Sequence, residues 1–206
     1  MHVGTWTAHK DLRVFESVLP VKPVGFRRYV GLDFGESCGL AFCDLRPNQP
    51  VVEAKMYLDL LDLSIGTFDS SAIRFLRLDA FLEILAPDVL GFEDVKYTPS
   101  ADLLIGKASP AAILARSARP TEFFGGLKYY VQTWAEQRSI PAKGWGIGEI
   151  KKHATGKGNA SKAQMIEACN KLLGTTFDPK DEKSGADDMC DAAFALCMTV
   201  EHYRAA

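Results

Sequence analysis

Cysteine is scarce in this sequence and forms no pattern: the five residues Cys38, Cys43, Cys169, Cys190 and Cys197 are odd in number and include no CxxC pair. That excludes a disulfide framework and a cysteine zinc site, and leaves reduced core thiols as their expected role. Long apolar runs are also missing. Nothing approaches the roughly 18 apolar residues of a membrane span, and the stretch from Met1 to Arg28 lacks the apolar centre of a secretory signal. A cytoplasmic, reducing location with no membrane partner is the expectation. No internal repeat is visible. Charge of one sign is absent as well: the formal net charge is −2 and the pI about 6.1. A global sum says little about local asymmetry, so the distribution matters more.

The chain has 206 residues, 47% of them hydrophobic, enough to bury the core of one ordinary domain. Its charge is segregated. From Arg138 to Lys162 the bases Arg138, Lys143, Lys151, Lys152, Lys157 and Lys162 face a single acid, Glu149. From Asp178 to Asp191 the acids Asp178, Asp181, Glu182, Asp187, Asp188 and Asp191 outweigh Lys180 and Lys183.

Residues 1–27 show no sustained periodicity, and Pro20 and Pro23 set them apart as an extension from a domain over 28–206. Tyr29 to Asp33 and Cys38 to Cys43 are apolar runs joined by a turn, the pattern of a β-hairpin. A third strand is expected over Val51–Leu58, and Ala72, Phe75, Leu76, Phe81, Leu82 and Leu85 recur at helical spacing before Pro87. Asp88 to Val95 reads as a buried strand that ends in acids. A loop from Thr98 to Pro120 follows, carrying Lys107, Arg116 and Arg119. Helices are expected over Glu122–Arg138, Ser161–Leu173 and Asp188–Tyr203, with a strand at Ala142–Ile147. The order β-β-β-α-β-α-β-α suits an α/β mixed sheet flanked by helices.

Two acids interrupt apolar strands. Asp33 closes Tyr29-Val30-Gly31-Leu32, and Glu93 follows Leu90-Gly91-Phe92; a carboxylate so placed must emerge at an edge or be neutralised, because burying it unpaired is costly. Asp188 and Asp191 lie at i, i+3 on the last helix, hence on one face. Met189, Ala192, Ala195, Leu196 and Val200 of that helix are suited to pack on the sheet, which holds its N-terminal acids against the strand ends. Each acid alone is an ordinary turn or first-turn residue. Together, four converging carboxylates are hard oxygen ligands for Mg²⁺ or Mn²⁺, and two such ions clamp the attacking and leaving oxygens of a phosphodiester.

Before that helix, Ile150 to Gln164 reads IKKHATGKGNASKAQ. Gly156 and Gly158 mark a turn, Ser161 or Asn159 is placed to cap the next helix, and Lys151 and Lys162 flank the turn, a combination that suits a phosphate.

With these residues laid out, the sequence from about Gly31 to Ala195 resembles the RuvC-type Holliday junction resolvases, a branch of the ribonuclease H-like nucleases. The likeness rests on Gly31-Leu32-Asp33-Phe34-Gly35, Gly91-Phe92-Glu93-Asp94-Val95, the Lys151 to Gln164 segment, and Ala186-Asp187-Asp188-Met189-Cys190-Asp191-Ala192-Ala193, in that order. It implies a ribonuclease H-like mixed sheet flanked by helices. It also implies two Mg²⁺ ions, for which Mn²⁺ can substitute, with Asp33 bridging them and Glu93, Asp188 and Asp191 completing their shells. Asp187 is an alternative to Asp188, although the family's D-x-x-D spacing favours Asp188. Lys151 and Lys162 fall on the family's active-site lysines, giving Asp33, Glu93, Lys151, Lys162, Asp188 and Asp191 as the expected catalytic set.

The implied substrate is branched DNA, above all four-way junctions, cut by a homodimer whose two-fold axis presents two sites to two like strands. Lys96, Tyr97, Lys107, Arg116, Arg119, Lys152 and Lys157 are the expected DNA-binding residues. Phe123, Phe124, Leu127, Tyr130, Val131 and Trp134 fall on the family's dimer helix, and their apolar face equally suits a core. Where the family can carry an aromatic shortly after the catalytic glutamate, this sequence has Lys96 and then Tyr97. Asp33-Phe34-Gly35 also resembles the phosphate loop of actin-like kinases, which need two such domains; this chain is too short for them. A junction-binding module without catalysis is the other alternative, against which the presence of all four acids argues.

Overall fold

A computed structural model describes residues 2–5, 12–50, 53–95, 110–181 and 184–204 of the chain. Its elements in order are β1 (His2–Thr5), α1 (Leu12–Val18), β2 (Arg27–Asp33), β3 (Ser37–Leu45), β4 (Lys55–Asp62), α2 (Ile73–Leu85), β5 (Val89–Asp94), α3 (Pro110–Gln137), β6 (Ala142–Gly146), α4 (Ile147–Thr155), α5 (Lys162–Leu173) and α6 (Ala186–Arg204). The strands form one sheet in the order β1-β4-β3-β2-β5-β6. β2, β3 and β4 make an antiparallel meander, while β5 pairs parallel to β2, β6 to β5 and β1 to β4.

Strand alternation divides the side chains between two cores. Val30, Leu32, Leu40, Phe42, Leu90 and Phe92 face Phe15 of α1, Leu78, Phe81, Leu82 and Leu85 of α2, and Leu127, Val131 and Trp134 of α3. On the opposite face Tyr29, Ala41, Cys43, Met56, Leu58, Val89 and Trp145 pack against α4, α5 and α6, with Ile150, Met165, Ile166, Cys169, Phe194 and Leu196 fully or nearly buried. The sheet is thus covered on both sides, as strands hydrophobic on both faces require. The hairpin of β2 and β3 forms as its pattern predicts, with Tyr29 opposite Cys43 and Asp33 opposite Gly39.

Several boundaries differ from the sequence expectation. The third strand runs Lys55–Asp62 rather than Val51–Leu58; Asp59 and Asp62 look like its end, yet Asp59 is only 3% exposed. The loop expected from Thr98 to Pro120 is helical from Pro110, so Pro120 lies inside α3 and Pro110 takes the first helical position that proline tolerates. Ile147, expected to end the Ala142–Ile147 strand, instead opens α4, whose start is capped by Glu149 accepting from Gly146 N–H at 2.8 Å and which carries Lys151 and Lys152 up to the turn at Gly156. Within the stretch set apart as an extension, β1 adds an edge strand and Phe15 of α1 is buried.

Arg28 ties the segment after α1 to β3 and to the end of α2. It is 2% exposed and donates to both oxygens of Asp44 at 2.7 Å and to the carbonyls of Pro20 and Leu85. A guanidinium buried this deeply requires such complete pairing.

Candidate active site

Three glycines decide how closely α6 lies on the sheet. A Cβ on Gly31 would stand 2.3 Å from the Ala192 carbonyl oxygen, one on Gly39 2.1 Å from that of Asp188, and one on Gly91 1.8 Å from Thr199 Oγ1. Gly31 and Gly91 are cross-strand partners on β2 and β5. Asp33 and Glu93 each lie two residues beyond one of them, hence on the same face, at the strand ends. Helix α6 crosses that face with its N-terminal turn over the strand ends. Its far half is held by Trp145 Nε1, which donates to Thr199 Oγ1 at 2.8 Å. Phe34 packs on Phe92 with ring centroids 5.5 Å apart, fixing the turn after Asp33 to the strand that carries Glu93.

The consequence is a cluster of carboxylates. Asp33, Glu93 and Asp191 each offer an oxygen lying within 4.8 Å of the other two. Asp191 Oδ1 is buried without a hydrogen-bond partner. Burial first, and then the neighbouring acids Glu93, Asp191 and Asp188, push Asp33 well above the usual carboxylate range. Burial likewise raises Glu93, although its hydrogen bond with Asp33 and the charge of Lys151 oppose the shift. Asp191 is pushed up to about 7 by burial and Glu93, against the pull of Lys151. So many acids in so little space with an orphan oxygen are the environment that a cation relieves. The donors are all hard oxygens, which fits a divalent cation of the Mg²⁺ class.

Asp188 stands outside the three-acid group, in the first turn of α6. Burial, then Asp187, raises it to about 6, and its charge in turn raises Asp33 and Asp191. Asp187 turns elsewhere and forms an ion pair with Lys162. Lys162 opens α5, whose N-cap is Ser161 with Gln164 completing a reciprocal capping box. Lys151, on α4, is near enough to Glu93 and Asp191 to lower both. Lys152 and Lys157 are exposed beside it.

Of the remaining expected residues, Lys96, Tyr97 and Lys107 lie outside the described residues. Arg116 and Arg119 fall within α3, on a stretch whose side chains are likewise not described. The apolar face of α3 is core: Leu127, Val131 and Trp134 are buried, with Phe123, Phe124 and Tyr130 packed against them. Sequence reading missed the pairing of Lys128 with Asp94 at 2.6 Å, which ties α3 to the strand end beside Glu93. An acid directly after Glu93 was its one visible sign.

An antiparallel trio continued by two parallel strands, with helices on both faces, is a mixed sheet of the ribonuclease H-like kind, and the fold is RuvC-type. The chain is similar to Thermus thermophilus RuvC in complex with a Holliday junction substrate, at 16% identity and a TM-score of 0.58 over 87% of this chain and 96% of that one. A second Thermus thermophilus RuvC structure gives 17% identity and a TM-score of 0.54, covering 85% and 94%. No protein-family model and no curated protein sequence matches the chain. Among the described residues no helix is long and apolar enough to cross a membrane.

Proposed function

We propose that the protein is a metal-dependent, structure-selective endodeoxyribonuclease that cuts Holliday junctions and related branched DNA. The observation that carries this reading is the convergence of Asp33, Glu93 and Asp191 at the ends of β2, β5 and the first turns of α6, on a fold shared with a protein solved on a Holliday junction.

In this reading Asp33, Glu93 and Asp191, with Asp188 beside them, hold two Mg²⁺ ions, or Mn²⁺ in their place. When bound, such ions supply Lewis acidity toward the phosphodiester and lower the cost of deprotonating the attacking water. The chain's own residues do the rest. Asp33 and Glu93 lie close enough that Glu93 raises Asp33, an unfavourable closeness that the charge of a bound cation would relieve. Lys151, whose charge reaches Glu93 and Asp191, orients a phosphate and stabilises the negative charge that develops on it. Lys162, tethered by Asp187, offers a second ammonium at the start of α5, where helix N–H groups also favour a phosphate.

Lys152 and Lys157, with Lys96, Tyr97, Lys107, Arg116 and Arg119, carry the DNA backbone. A homodimer supplies two such sites to a four-way junction. Among the described residues of α3, Tyr129, Gln132, Thr133 and Glu136 form an exposed face, away from the core face, that such a contact would use.

The test is cleavage of labelled four-way, three-way, flap and linear duplex DNA side by side, with Mg²⁺ and with chelator. Selective, chelator-sensitive cutting of branched DNA is expected. Binding of junctions without cutting at any divalent ion would replace this reading with a non-catalytic junction-binding module.

A further inference from the structure

Glu93 stands where the sheet gives it little support. The pairing of β5 with β2 ends at Leu32 and Phe92, whereas that with β6 continues to Asp94 and Gly146. The strand end that carries Glu93 is therefore held by a neighbouring strand on one side. Its carboxylate is also crowded, with oxygens of Asp33 and Asp191 within 4.8 Å of one of its own, at 7% exposure. Repulsion among like charges drives such a group away from its neighbours and toward water. Asp94 opposes that movement. Successive strand residues point to opposite faces, so while Glu93 faces α6, Asp94 faces α3, where Lys128 Nζ donates to its Oδ1 at 2.6 Å. On β6 the missing side chain of Gly144 makes room for Asp94: a Cβ there would stand 3.0 Å from Asp94 Cβ and 2.9 Å from the Phe92 ring. Lys128 itself starts from a fixed base. Leu127 and Val131 beside it are fully buried, and Tyr130 and Trp134 donate to Asp79 and Glu83 of α2 at 2.6 and 3.2 Å. At 26% and 19% exposure the Lys128–Asp94 pair is partly shielded from solvent, where a charge-assisted hydrogen bond is firmer than on the open surface.

We infer that Lys128 is a positioning residue for the divalent-ion site: through Asp94 it holds the end of β5 so that Glu93 stays beside Asp33 and Asp191, an inference that rests on the metal-dependent reading above. Lys128 touches neither ion nor DNA in this role. The sign of its effect separates positioning from plain electrostatics. An ammonium near an acid cluster repels a divalent cation, so by charge alone its removal tightens cation binding. By positioning, its removal loosens cation binding, because the strand end is freed and Glu93 relaxes out of the cluster. An ion pair that serves the fold alone shifts stability and leaves cation binding where it was.

The experiment measures Mn²⁺ binding to the full-length, DNA-free protein, read from the electron paramagnetic resonance of free Mn²⁺, and single-turnover junction cleavage across a Mg²⁺ titration. The proteins compared are the wild type, Lys128→Met, Lys128→Arg and Arg138→Met. Arg138, directly after α3, pairs with Glu83 of α2, and its replacement is the control for losing an ion pair that does not reach β5. Lys128→Met is expected to weaken Mn²⁺ binding about tenfold, the scale on which losing the partner behind a metal ligand acts. Half-saturating Mg²⁺ rises by a similar factor, while the rate at saturating Mg²⁺ stays within about threefold. Lys128→Arg, which keeps the pair, and Arg138→Met stay within about twofold of the wild type in both measurements. Lys128→Ala serves where the methionine variant lacks the wild-type circular dichroism. If the wild type binds Mn²⁺ and cuts junctions, but Lys128→Met binds Mn²⁺ as tightly or more tightly, or Arg138→Met weakens it equally, the positioning role is wrong and the nuclease reading stands. If the wild type binds no more Mn²⁺ than Asp33→Asn does and cuts no junction, the nuclease reading is wrong and the positioning role falls with it.

Discussion

Lys162 pairs with Asp187, so the carboxylate directly before Asp188 is committed to a lysine and not to the acid cluster. Successive residues on a helix diverge by about 100°. That divergence lets Asp187 reach α5 while Asp188 and Asp191 face the strand ends. The lysine side chain is 76% exposed and the aspartate 11%, an arrangement in which the pair adds little to stability. Asp188→Asn is expected to slow cleavage by orders of magnitude at fixed Mg²⁺. Asp187→Asn should cost less than about 1 kcal/mol of stability and slow cleavage by less than about tenfold, through a less well-placed Lys162. Single-turnover rates and thermal denaturation of both variants decide it; a dead Asp187→Asn beside an active Asp188→Asn reverses the assignment.

Asp33 is disfavoured as an anion by burial, Glu93, Asp191 and Asp188. Replacing it with asparagine removes a charge while keeping volume and a donor toward Glu93. Metal-free Asp33→Asn is therefore expected to be more stable than the wild type by on the order of 1 kcal/mol, a rise of about 2–4 °C in Tm. A fall in Tm without metal would make Asp33 a structural residue rather than a strained ligand.

Stability depends on pH with a definite sign. The native state holds protons on Asp188 up to about 6 and on Asp191 up to about 7, whereas the unfolded chain releases them near pH 4. Their contribution is present at acid pH and lost as pH rises through 6–7. Cations replace those protons, so Mg²⁺ stabilises more at pH 8 than at pH 5.5. Thermal denaturation at both values, with and without Mg²⁺, is expected to show a metal-free Tm that falls toward pH 8 and recovers on adding the ion. Asp59 of β4, raised by burial to about 7, contributes a slope of the same sign that Mg²⁺ does not remove. A pH dependence wholly indifferent to Mg²⁺ would place the titrating acids away from any metal.

Gly31→Ala and Gly91→Ala drive a methyl into α6, at Ala192 O and Thr199 Oγ1 respectively. Each is expected to destabilise by about 3 kcal/mol or to prevent folding. Gly125 of α3, where an added Cβ meets nothing within 4 Å, is the control: alanine there should stabilise by about 0.5–1 kcal/mol. Denaturant unfolding of the three variants checks the contrast. Equal stability across them would mean that α6 is not seated on the glycines.

The parts of the fold legible in the sequence are those whose pattern is local. The hairpin of β2 and β3, the helix before Pro87 and the Ser161 cap follow from alternation, helical spacing and capping chemistry. The start of α3 is hidden by Pro120, which reads as a breaker, and β1 is four residues long and defined by its pairing with β4. At the site, Asp33 and Glu93 stand out because an acid ends an apolar strand. The division of labour between Asp187 and Asp188 depends on where α5 lies, which is not a property of one segment.

In the proposed function, buried acids hold the divalent ions with which branched DNA is cut. Its most direct test is single-turnover cleavage of a labelled four-way junction across a Mg²⁺ titration, for the wild type, Asp33→Asn and Asp191→Asn, with junction binding measured alongside. The expected result is saturable Mg²⁺-dependent cleavage by the wild type and a loss of several orders of magnitude in both variants, with binding retained. Cleavage by either variant at wild-type rate and wild-type Mg²⁺ dependence would contradict the account.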